Sequence, residues 1–270
     1  MGVQVLLGVN DALEGRLVQS CKAADILLIG GYGLGATDAV SEPLLSLERI
    51  LHTVRTLRAA SSMPIWVDAG AGYGDPINVR YVVQNLQQAG TTHIQIEDQR
   101  FPKQASYHDY REETVNGSYM IAKIKAAVEA KSKETYIVAR TDTNSTEGFD
   151  ESVSRLNGYL AAGADIGLAF PSSLEEARRL PKEVKGPVVY PNSIGNRIQR
   201  PILSKQQAEE FGYAYLMETH TMLLASFWAQ RRVLEQGLSD LVQDWRPIRL
   251  ELEKTIGLPE LYAFEDKYKV

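Results

Sequence analysis

The fold is decided by the stretch Pro64-Ile65-Trp66-Val67-Asp68-Ala69-Gly70-Ala71-Gly72-Tyr73-Gly74. A short apolar run between Pro and Gly is typical of a buried strand, and this run ends in a carboxylate at Asp68. The arrangement returns further along the chain, where His93-Ile94-Gln95-Ile96 precedes Glu97 and Asp98. Two neighbouring parallel strands would hold these acids close together. We expect a site for a hard cation such as Mg²⁺, which is commonly bound by one or two carboxylates and several waters. The alternative is that each acid caps the helix or turn that follows it.

Strand-like and helix-like runs alternate along the whole chain. Eight apolar runs are predicted to be strands: Val3–Val9, Ile26–Ile29, Ile65–Val67, Ile94–Ile96, Tyr136–Ala139, Ile166–Phe170, Pro187–Tyr190 and Tyr213–Met217. Each is followed by a helical pattern, so the sequence predicts an α/β fold, a (β/α)₈ TIM barrel. A doubly wound open sheet is the alternative. Polar residues at the carboxyl ends of many strands favour the barrel, because barrel active sites lie there.

The predicted barrel is one domain covering residues 1–270, with residues 221–270 as a C-terminal helical extension. Three helical segments, Thr221–Gln236, Asp240–Trp245 and Pro247–Thr255, exceed what a minimal barrel needs. We expect them to make contacts between subunits of an oligomer.

Composition and charge exclude several classes of protein. The 270 residues are 44% hydrophobic and 23% charged, as in an ordinary globular protein. The net charge of −5 gives no basic field to attract nucleic acid or an acidic membrane. Cys21 is the only cysteine, which excludes an intrachain disulfide and favours a reducing compartment. No apolar run has membrane-spanning length, and we identify no signal peptide, so a cytoplasmic location is expected.

A Gly-rich segment, Gly30-Gly31-Tyr32-Gly33, follows the second predicted strand. Glycines permit close backbone approach, and exposed amides can receive an anion. The segment lacks the spacing of a dinucleotide-binding loop and opens no obvious amphipathic helix, so an ordinary turn is the alternative. Asp38 follows in a polar loop. Its two interpretations are an acid near the site and a helix cap.

Further polar candidates lie in other loops at the same end of the predicted barrel. Arg140 ends a strand, where a guanidinium suits a carboxylate or phosphate; the alternative is a pair with Asp142 that braces the rim. Lys103 lies in a long loop soon after Glu97, and Asn192 follows the seventh strand. Of the four histidines, only His108 belongs to the candidate loop.

These residues resemble the isocitrate lyase/phosphoenolpyruvate mutase superfamily over nearly the whole chain. The resemblance rests on Val67-Asp68-Ala69-x-x-Gly72-Tyr73-Gly74, Ile96-Glu97-Asp98-Gln99-x-Phe101-Pro102-Lys103, Ala139-Arg140-Thr141-Asp142, Ala162-Gly163-Ala164-Asp165 and Gly257-Leu258-Pro259-Glu260-Leu261-Tyr262. Together these motifs are specific. The resemblance implies a (β/α)₈ barrel, a homotetramer with C-terminal helices swapped between subunits, and Mg²⁺, with Mn²⁺ as the alternative.

The resemblance also implies roles for individual residues. Asp68 would bind the metal directly, and Glu97 and Asp38 would act on it through water. Arg140 would hold the carboxylate of a small 2-oxo or 2-hydroxy acid. The backbone of Gly31 and Tyr32 would contact the 2-oxo acid. Asn192 is a further candidate polar contact at the same rim, from its place after the seventh strand and not from the resemblance. Lys103 would lie on a mobile gating loop.

Departures from the family pattern bear on the chemistry. Gly70 replaces the second acid of the motif, which should reduce metal affinity unless Asp98 or Asp38 compensates. Ala105 replaces the cysteine that acts as acid/base in the lyase branch. Tyr107 and His108, beside Lys103, are the candidates to supply a proton instead. The phosphonate branch carries a histidine where we align Phe170.

The leading hypothesis is therefore a Mg²⁺-dependent lyase or decarboxylase that forms or consumes an enolate. Phosphonopyruvate-type mutase or hydrolase chemistry is the second hypothesis. A member that binds ligand without turnover is the third, supported by Gly70 and Ala105.

Overall fold

Eight parallel strands close into a barrel in the computed structural model, which describes residues 2–105, 109, 112–237 and 244–269. The strands are β1 Gln4–Gly8, β2 Ile26–Ile29, β3 Ile65–Asp68, β4 His93–Glu97, β5 Tyr136–Arg140, β6 Ile166–Leu168, β7 Val188–Asn192 and β8 Tyr215–Glu218. Each strand pairs with the next, and β1 pairs with β8 to close the ring. The predicted (β/α)₈ barrel is confirmed, and the open sheet is excluded.

Helices cover the outside of the barrel. They are α1 Ala12–Cys21, α2 Gly31–Thr37, α3 Leu47–Ala60, α4 Pro76–Ala89, α5 Gly117–Ala130, α6 Phe149–Ala161, α7 Leu174–Glu183 and α8 Lys205–Phe211, followed after β8 by α9 Thr221–Gln236, α10 Arg246–Thr255 and α11 Leu258–Lys267. Side chains satisfy several of the free amides at helix starts. Asp11 accepts from the Glu14 amide at 2.8 Å, and Ser204 forms a reciprocal capping pair with Gln207.

Two expectations about helices differ from the structure. The Gly-rich segment after β2 is the short helix α2 rather than a loop, because four of its residues are buried against neighbouring segments and packing overrides low helical propensity. At the C-terminus, α10 confirms the predicted segment Pro247–Thr255 to within one residue, whereas α11 was not predicted. The predicted segment Asp240–Trp245 lies largely outside the described residues.

The core has two layers separated by the barrel wall. Successive strand residues point to opposite faces, so Leu27 of β2 packs under the helices whereas Leu28 points into the barrel. Inside the barrel, Trp66 donates its indole N–H to Gln95 at 3.1 Å and stacks on His93 at 5.0 Å. The interior is therefore filled with side chains, and ligands are confined to its ends.

Among the described residues, no helix has the length and apolar character needed to cross a bilayer.

Candidate active site

Three neighbouring strands end in charged residues that meet at one rim of the barrel. Asp68 ends β3, Glu97 ends β4 and Arg140 ends β5. Arg140 Nη1 lies 3.0 Å from Asp68 Oδ2 and 3.2 Å from Glu97 Oε2. The structure thus brings together the residues that the sequence placed at the strand ends. Asp68 and Arg140 line the cavity at this rim, whereas Glu97 is fully buried behind them.

A second cation joins the cluster from the loop after β4. Lys103 Nζ lies 3.0 Å from Glu97 Oε1 and 2.6 Å from Glu42 Oε1, and only 7% of its side chain is exposed. Glu42 belongs to the short 3₁₀ helix Glu42–Leu44 that follows α2. Sequence reasoning missed Glu42, since no strand end or motif marks it.

Acids outnumber cations in this cluster. Four carboxylates, of Asp68, Glu97, Glu42 and Asp142, surround the charges of two residues, Arg140 and Lys103. Burial raises the pKa of Glu97 to about 7, although Lys103 and Arg140 oppose the shift. Burial likewise raises the pKa of Asp68 against the same two cations. Both raised pKa values mean that the ionised carboxylates are disfavoured in this buried cluster, whose four acids exceed its two cationic residues. A bound divalent cation would favour the ionised forms.

The loop after β3 has a conformation that depends on its glycines. Gly70 has φ +54° and donates its amide to Asp68 Oδ1 at 2.9 Å, which orients the carboxylate. A Cβ added at Gly70 would meet only Glu97 Oε1, at 3.8 Å, so space is present but an L-residue would be strained there. The buried Lys123 of α5 donates to the Ala71 carbonyl and anchors the loop from below.

The start of α2 forms another part of the cavity wall. Gly31 and Tyr32 both line the cavity, as their predicted contact with substrate requires. A Cβ at Gly31 would lie 2.5 Å from Glu42 Cγ, so glycine is what allows Glu42 to approach. The Tyr32 ring packs against His220, with ring centroids 4.8 Å apart.

Two predicted site residues are placed elsewhere. Asp38 pairs with Arg49 at 2.7 Å on the protein surface and does not line the cavity, because it ends α2 and faces α3. Asn192 is fully buried; its amide donates to the Leu203 carbonyl and to Glu218, at 2.8 and 2.7 Å. Asn192 therefore braces the β7–α8 connection rather than facing a ligand.

Asp98 is the other acid considered as a replacement for the one lost at Gly70, and its side chain likewise serves the fold rather than the cavity. Its fully buried carboxylate accepts from Tyr159 at 2.8 Å, Thr141 at 2.7 Å and Arg155 at 3.3 Å. Tyr107 and His108 lie outside the described residues, so their positions are not described.

The cavity has a volume of about 360 Å³ and combines polar and apolar walls. Its lining includes Glu42, Asp68, Glu112, Arg140, Asp142, Asn144, Phe170, Ser193, Arg200, Met217 and His220. Sequence reasoning did not identify Arg200, which follows the β7 strand within a polar loop. A cavity of this size suits a small molecule, and its charges suit an anion held together with a cation.

Comparison with known proteins places this arrangement in a family. Residues 2–236 match the sequence profile of phosphoenolpyruvate phosphomutase. The chain is 33% identical over 235 residues to 2-methylisocitrate lyase of Aeropyrum pernix, covering 83% of this chain and 74% of that protein. A crystal structure of 2,3-dimethylmalate lyase, described as a PEP mutase/isocitrate lyase superfamily member, has a TM-score of 0.87 at 26% identity, covering 98% of this chain and 90% of that one.

Phosphonopyruvate hydrolase in complex with oxalate and Mg²⁺ shares the fold, with a TM-score of 0.84 at 23% identity and coverage of 98% and 94%. Two of these relatives are named as lyases and one as a hydrolase, and their names specify small carboxylates. The resemblance found in the sequence motifs is confirmed: the chain belongs to the phosphoenolpyruvate phosphomutase family, within the PEP mutase/isocitrate lyase superfamily.

Proposed function

We propose that this protein is a Mg²⁺-dependent lyase or decarboxylase that makes or breaks a C–C bond in a small 2-oxo or 2-hydroxy carboxylate through an enolate. The observation that carries the proposal is the acid-rich cluster at the barrel rim, where Asp68 and Arg140 line a cavity large enough for such a substrate. Family membership supports the same reaction class.

The residues present fit a hard divalent cation. In our proposal Asp68 is the direct ligand, and Glu97 and Glu42 act through water; Glu42 takes the role first expected of Asp38. Among the described residues, neither oxygen of the buried Glu97 accepts an aligned hydrogen bond. The same residues contain no group of three or more His, Cys, Asp or Glu side chains spaced to hold a metal. Mg²⁺ suits such a site because it keeps several waters and needs only one or two carboxylates. When bound, it supplies a Lewis acid that stabilises negative charge on an oxygen of the substrate.

The chain's own residues bind and orient the substrate. Within the described residues, the acid contacts of Arg140 use Nε and Nη1, which leaves Nη2 for a substrate carboxylate. The backbone of Gly31 and Tyr32, which line the same cavity at the start of α2, contacts the 2-oxo group. Lys103 adds positive charge beside Glu97. It belongs to the same loop of the sequence as Tyr107 and His108, which are the candidate proton donors.

Phosphonopyruvate-type P–C bond chemistry, as a mutase or hydrolase, is the second candidate function. The match to the phosphomutase profile and the Phe101-Pro102-Lys103 motif favour it. Phe170 and Ala105 weigh against it, since neither supplies the polar group that the branch uses. A member that binds ligand without turnover remains the third hypothesis.

We also propose a cytoplasmic homotetramer built through the C-terminal helices. Large apolar side chains on α9 to α11 are exposed, with Phe227 63%, Trp228 62% and Leu234 86% accessible. Large exposed apolar surfaces often mark contacts between proteins. In the family, exchange of these helices between subunits would cover it.

The test is a product assay on a panel of 2-oxo and 2-hydroxy acids, with phosphonopyruvate included. Release of CO₂, an aldehyde or a second 2-oxo acid, dependent on added Mg²⁺, is the expected result. Release of phosphate from phosphonopyruvate alone would favour the second candidate. Binding of oxalate with no product from any compound would favour the third.

A further inference from the structure

One wall of the cavity carries a histidine that has no role in the proposed reaction so far. His220 lies in the turn between β8 and α9, and its side chain lines the cavity. Its ring packs against the Tyr32 ring, with centroids 4.8 Å apart. Because the backbone of Gly31 and Tyr32 is the proposed contact of the 2-oxo group, His220 lies beside the segment that holds the reacting end of the substrate.

The hydrogen bonds of His220 fix which ring nitrogen carries its proton. The Thr219 hydroxyl donates its one hydrogen to the Asn192 carbonyl at 3.0 Å. The hydroxyl oxygen also lies 3.1 Å from His220 Nδ1, so it accepts from an Nδ1–H. In this tautomer Nε2 has a lone pair, and among the described residues no hydrogen bond occupies it. The His220 ring is thus arranged as a proton acceptor.

The turn that carries His220 is held against the barrel. A Cβ added at Gly8, the last residue of β1, would collide with the Thr219 carbonyl oxygen, so glycine is what allows this approach. The Leu224 amide donates to the His220 carbonyl at 2.9 Å in the first turn of α9. A ring fixed in this way is oriented before a ligand arrives, which favours a group that acts on a reacting atom.

Charged groups influence His220 from two other segments. Glu42 lies in the short helix after α2 and Arg200 in the loop after β7, and both line the cavity. Burial lowers the pKa of His220; the Glu42 carboxylate opposes this shift, and the Arg200 guanidinium adds to it. The ring is therefore neutral at pH 7, which keeps the Nε2 lone pair able to take up a proton.

We propose that His220 is the catalytic base that removes a proton from C3 of a bound 2-oxo acid. The inference rests on the proposed function, in which the carboxylate and the oxo group of that acid lie at the Asp68 and Arg140 end of the cavity. His220 accepts the proton, whereas Tyr107 and His108 are candidates for the proton donor.

The proposed step is balanced without another reactant. Nε2 takes the C3 proton, the electron pair of that C–H bond forms the C2–C3 double bond, and the oxo oxygen takes the negative charge. When the imidazolium returns a proton to C3, the 2-oxo acid is restored. In D₂O the returned atom is a deuteron, so the step can be measured as hydrogen exchange.

The experiment follows exchange at C3 of two 2-oxo acids, pyruvate and 2-oxobutyrate, in D₂O with Mg²⁺. Proton NMR records the loss of the C3 signal, and exchange in protein-free buffer is subtracted. No C–C bond changes in this assay, so it does not depend on knowing the substrate. The parent protein should exchange at least one of the two acids. His220→Gln should exchange it about 10²–10⁴-fold more slowly, because glutamine cannot take up the proton.

Oxalate has no C3 and separates the base from the binding site. Its Mg²⁺-dependent affinity should change by less than about threefold in His220→Gln, since the lost group acts on the proton and not on the bound anion. The control His52→Gln replaces an exposed histidine of α3 and should leave exchange unchanged.

A second pair of variants tests the orientation of the ring. Thr219→Val removes the hydroxyl that accepts from Nδ1–H and should slow exchange by roughly 2–10-fold, as the loss of one hydrogen bond implies. Thr219→Ser keeps the hydroxyl and should exchange like the parent. A Thr219→Val protein that exchanges as fast as the parent would overturn the assignment of Nε2 as the accepting atom.

Three other outcomes overturn the proposal itself. If the parent binds oxalate with Mg²⁺ but exchanges neither acid, or if His220→Gln exchanges as fast as the parent, His220 is not the base. If His220→Gln weakens oxalate binding by the same factor as it slows exchange, the residue supports the cavity and not the proton transfer. In these cases Mg²⁺-dependent oxalate binding by the parent keeps the proposed function intact. If the parent binds no oxalate with Mg²⁺, the proposed function fails and this inference fails with it.

Discussion

Replacement of Asp98 by asparagine tests the division of labour between two adjacent acids, Glu97 and Asp98. The Asp98 carboxylate accepts hydrogen bonds from Tyr159, Thr141 and Arg155, and also from the Asp142 amide at 3.0 Å. An asparagine keeps one acceptor but turns an NH₂ group toward these donors. Removing one partner of a buried, hydrogen-bonded charge pair costs about 3–5 kcal/mol. For a chain of this length, each kcal/mol lowers Tm by roughly 2–4 °C, so a decrease of about 10 °C is expected.

The assay is thermal unfolding combined with Mg²⁺-dependent oxalate binding by the folded protein. Asp98→Asn should lower Tm while leaving the oxalate Kd within about threefold of the parent value, since this acid braces α6 against the barrel. Asp38→Asn is the control: its pair with Arg49 is partly exposed, so Tm should change by no more than about 2–4 °C. An Asp98→Asn protein of unchanged Tm that no longer binds Mg²⁺ and oxalate would refute this reasoning and make Asp98 the acid that compensates for Gly70.

Three further outcomes are expected. Burial lowers the pKa of His93 to about 4 against the opposing charge of Asp165, so the unfolded chain binds more protons between pH 4 and 6.5. The free energy of unfolding should therefore rise with pH across this window by about 3 kcal/mol. In His93→Gln, the free energy of unfolding from urea titrations should depend less on pH than it does in the parent. Sedimentation at micromolar concentration should give a tetramer, with dissociation in a Phe227→Glu, Trp228→Glu double variant; a monomeric parent would contradict the proposed assembly. Isocitrate and 2-methylisocitrate should not be cleaved to glyoxylate or pyruvate by the usual route, because Ala105 has no proton to give. A positioned acid contributes about 10²–10⁴-fold to the rate of such a step. Robust turnover by the parent, assayed beside Ala105→Cys, would show that another group replaces the loop cysteine.

The barrel was predictable because its strands carry local signals. Apolar runs mark the strands, several of them bounded by Gly or Pro, and their ends fix where Asp68, Glu97 and Arg140 emerge. Parallel neighbours then bring these three residues together by geometry alone. The same reasoning placed Asn192 at the end of β7, where it lies, but could not give its partner, since its side chain donates to the Leu203 backbone.

No local sequence pattern identifies Glu42 or Arg200 as a residue of the site. Glu42 reaches the cluster because Gly31 leaves room for it, a contact between segments that no periodicity encodes. Asp38 was the natural alternative because it follows the same Gly-rich segment, but it ends α2 and pairs with Arg49 of α3. Arg200 depends on the hydrogen bonds that close its loop, and such a loop has no sequence pattern of its own.

The central claim is that Asp68 holds a divalent cation on which ligand binding depends. The direct measurement is oxalate binding by calorimetry, with and without Mg²⁺, for the parent, Asp68→Asn and Glu97→Gln. We expect Mg²⁺-dependent binding in the parent, a weakened form of it in Glu97→Gln, and none in Asp68→Asn, with all three proteins folded by circular dichroism. Equal Mg²⁺-dependent affinity for oxalate in Asp68→Asn and the parent would contradict the account.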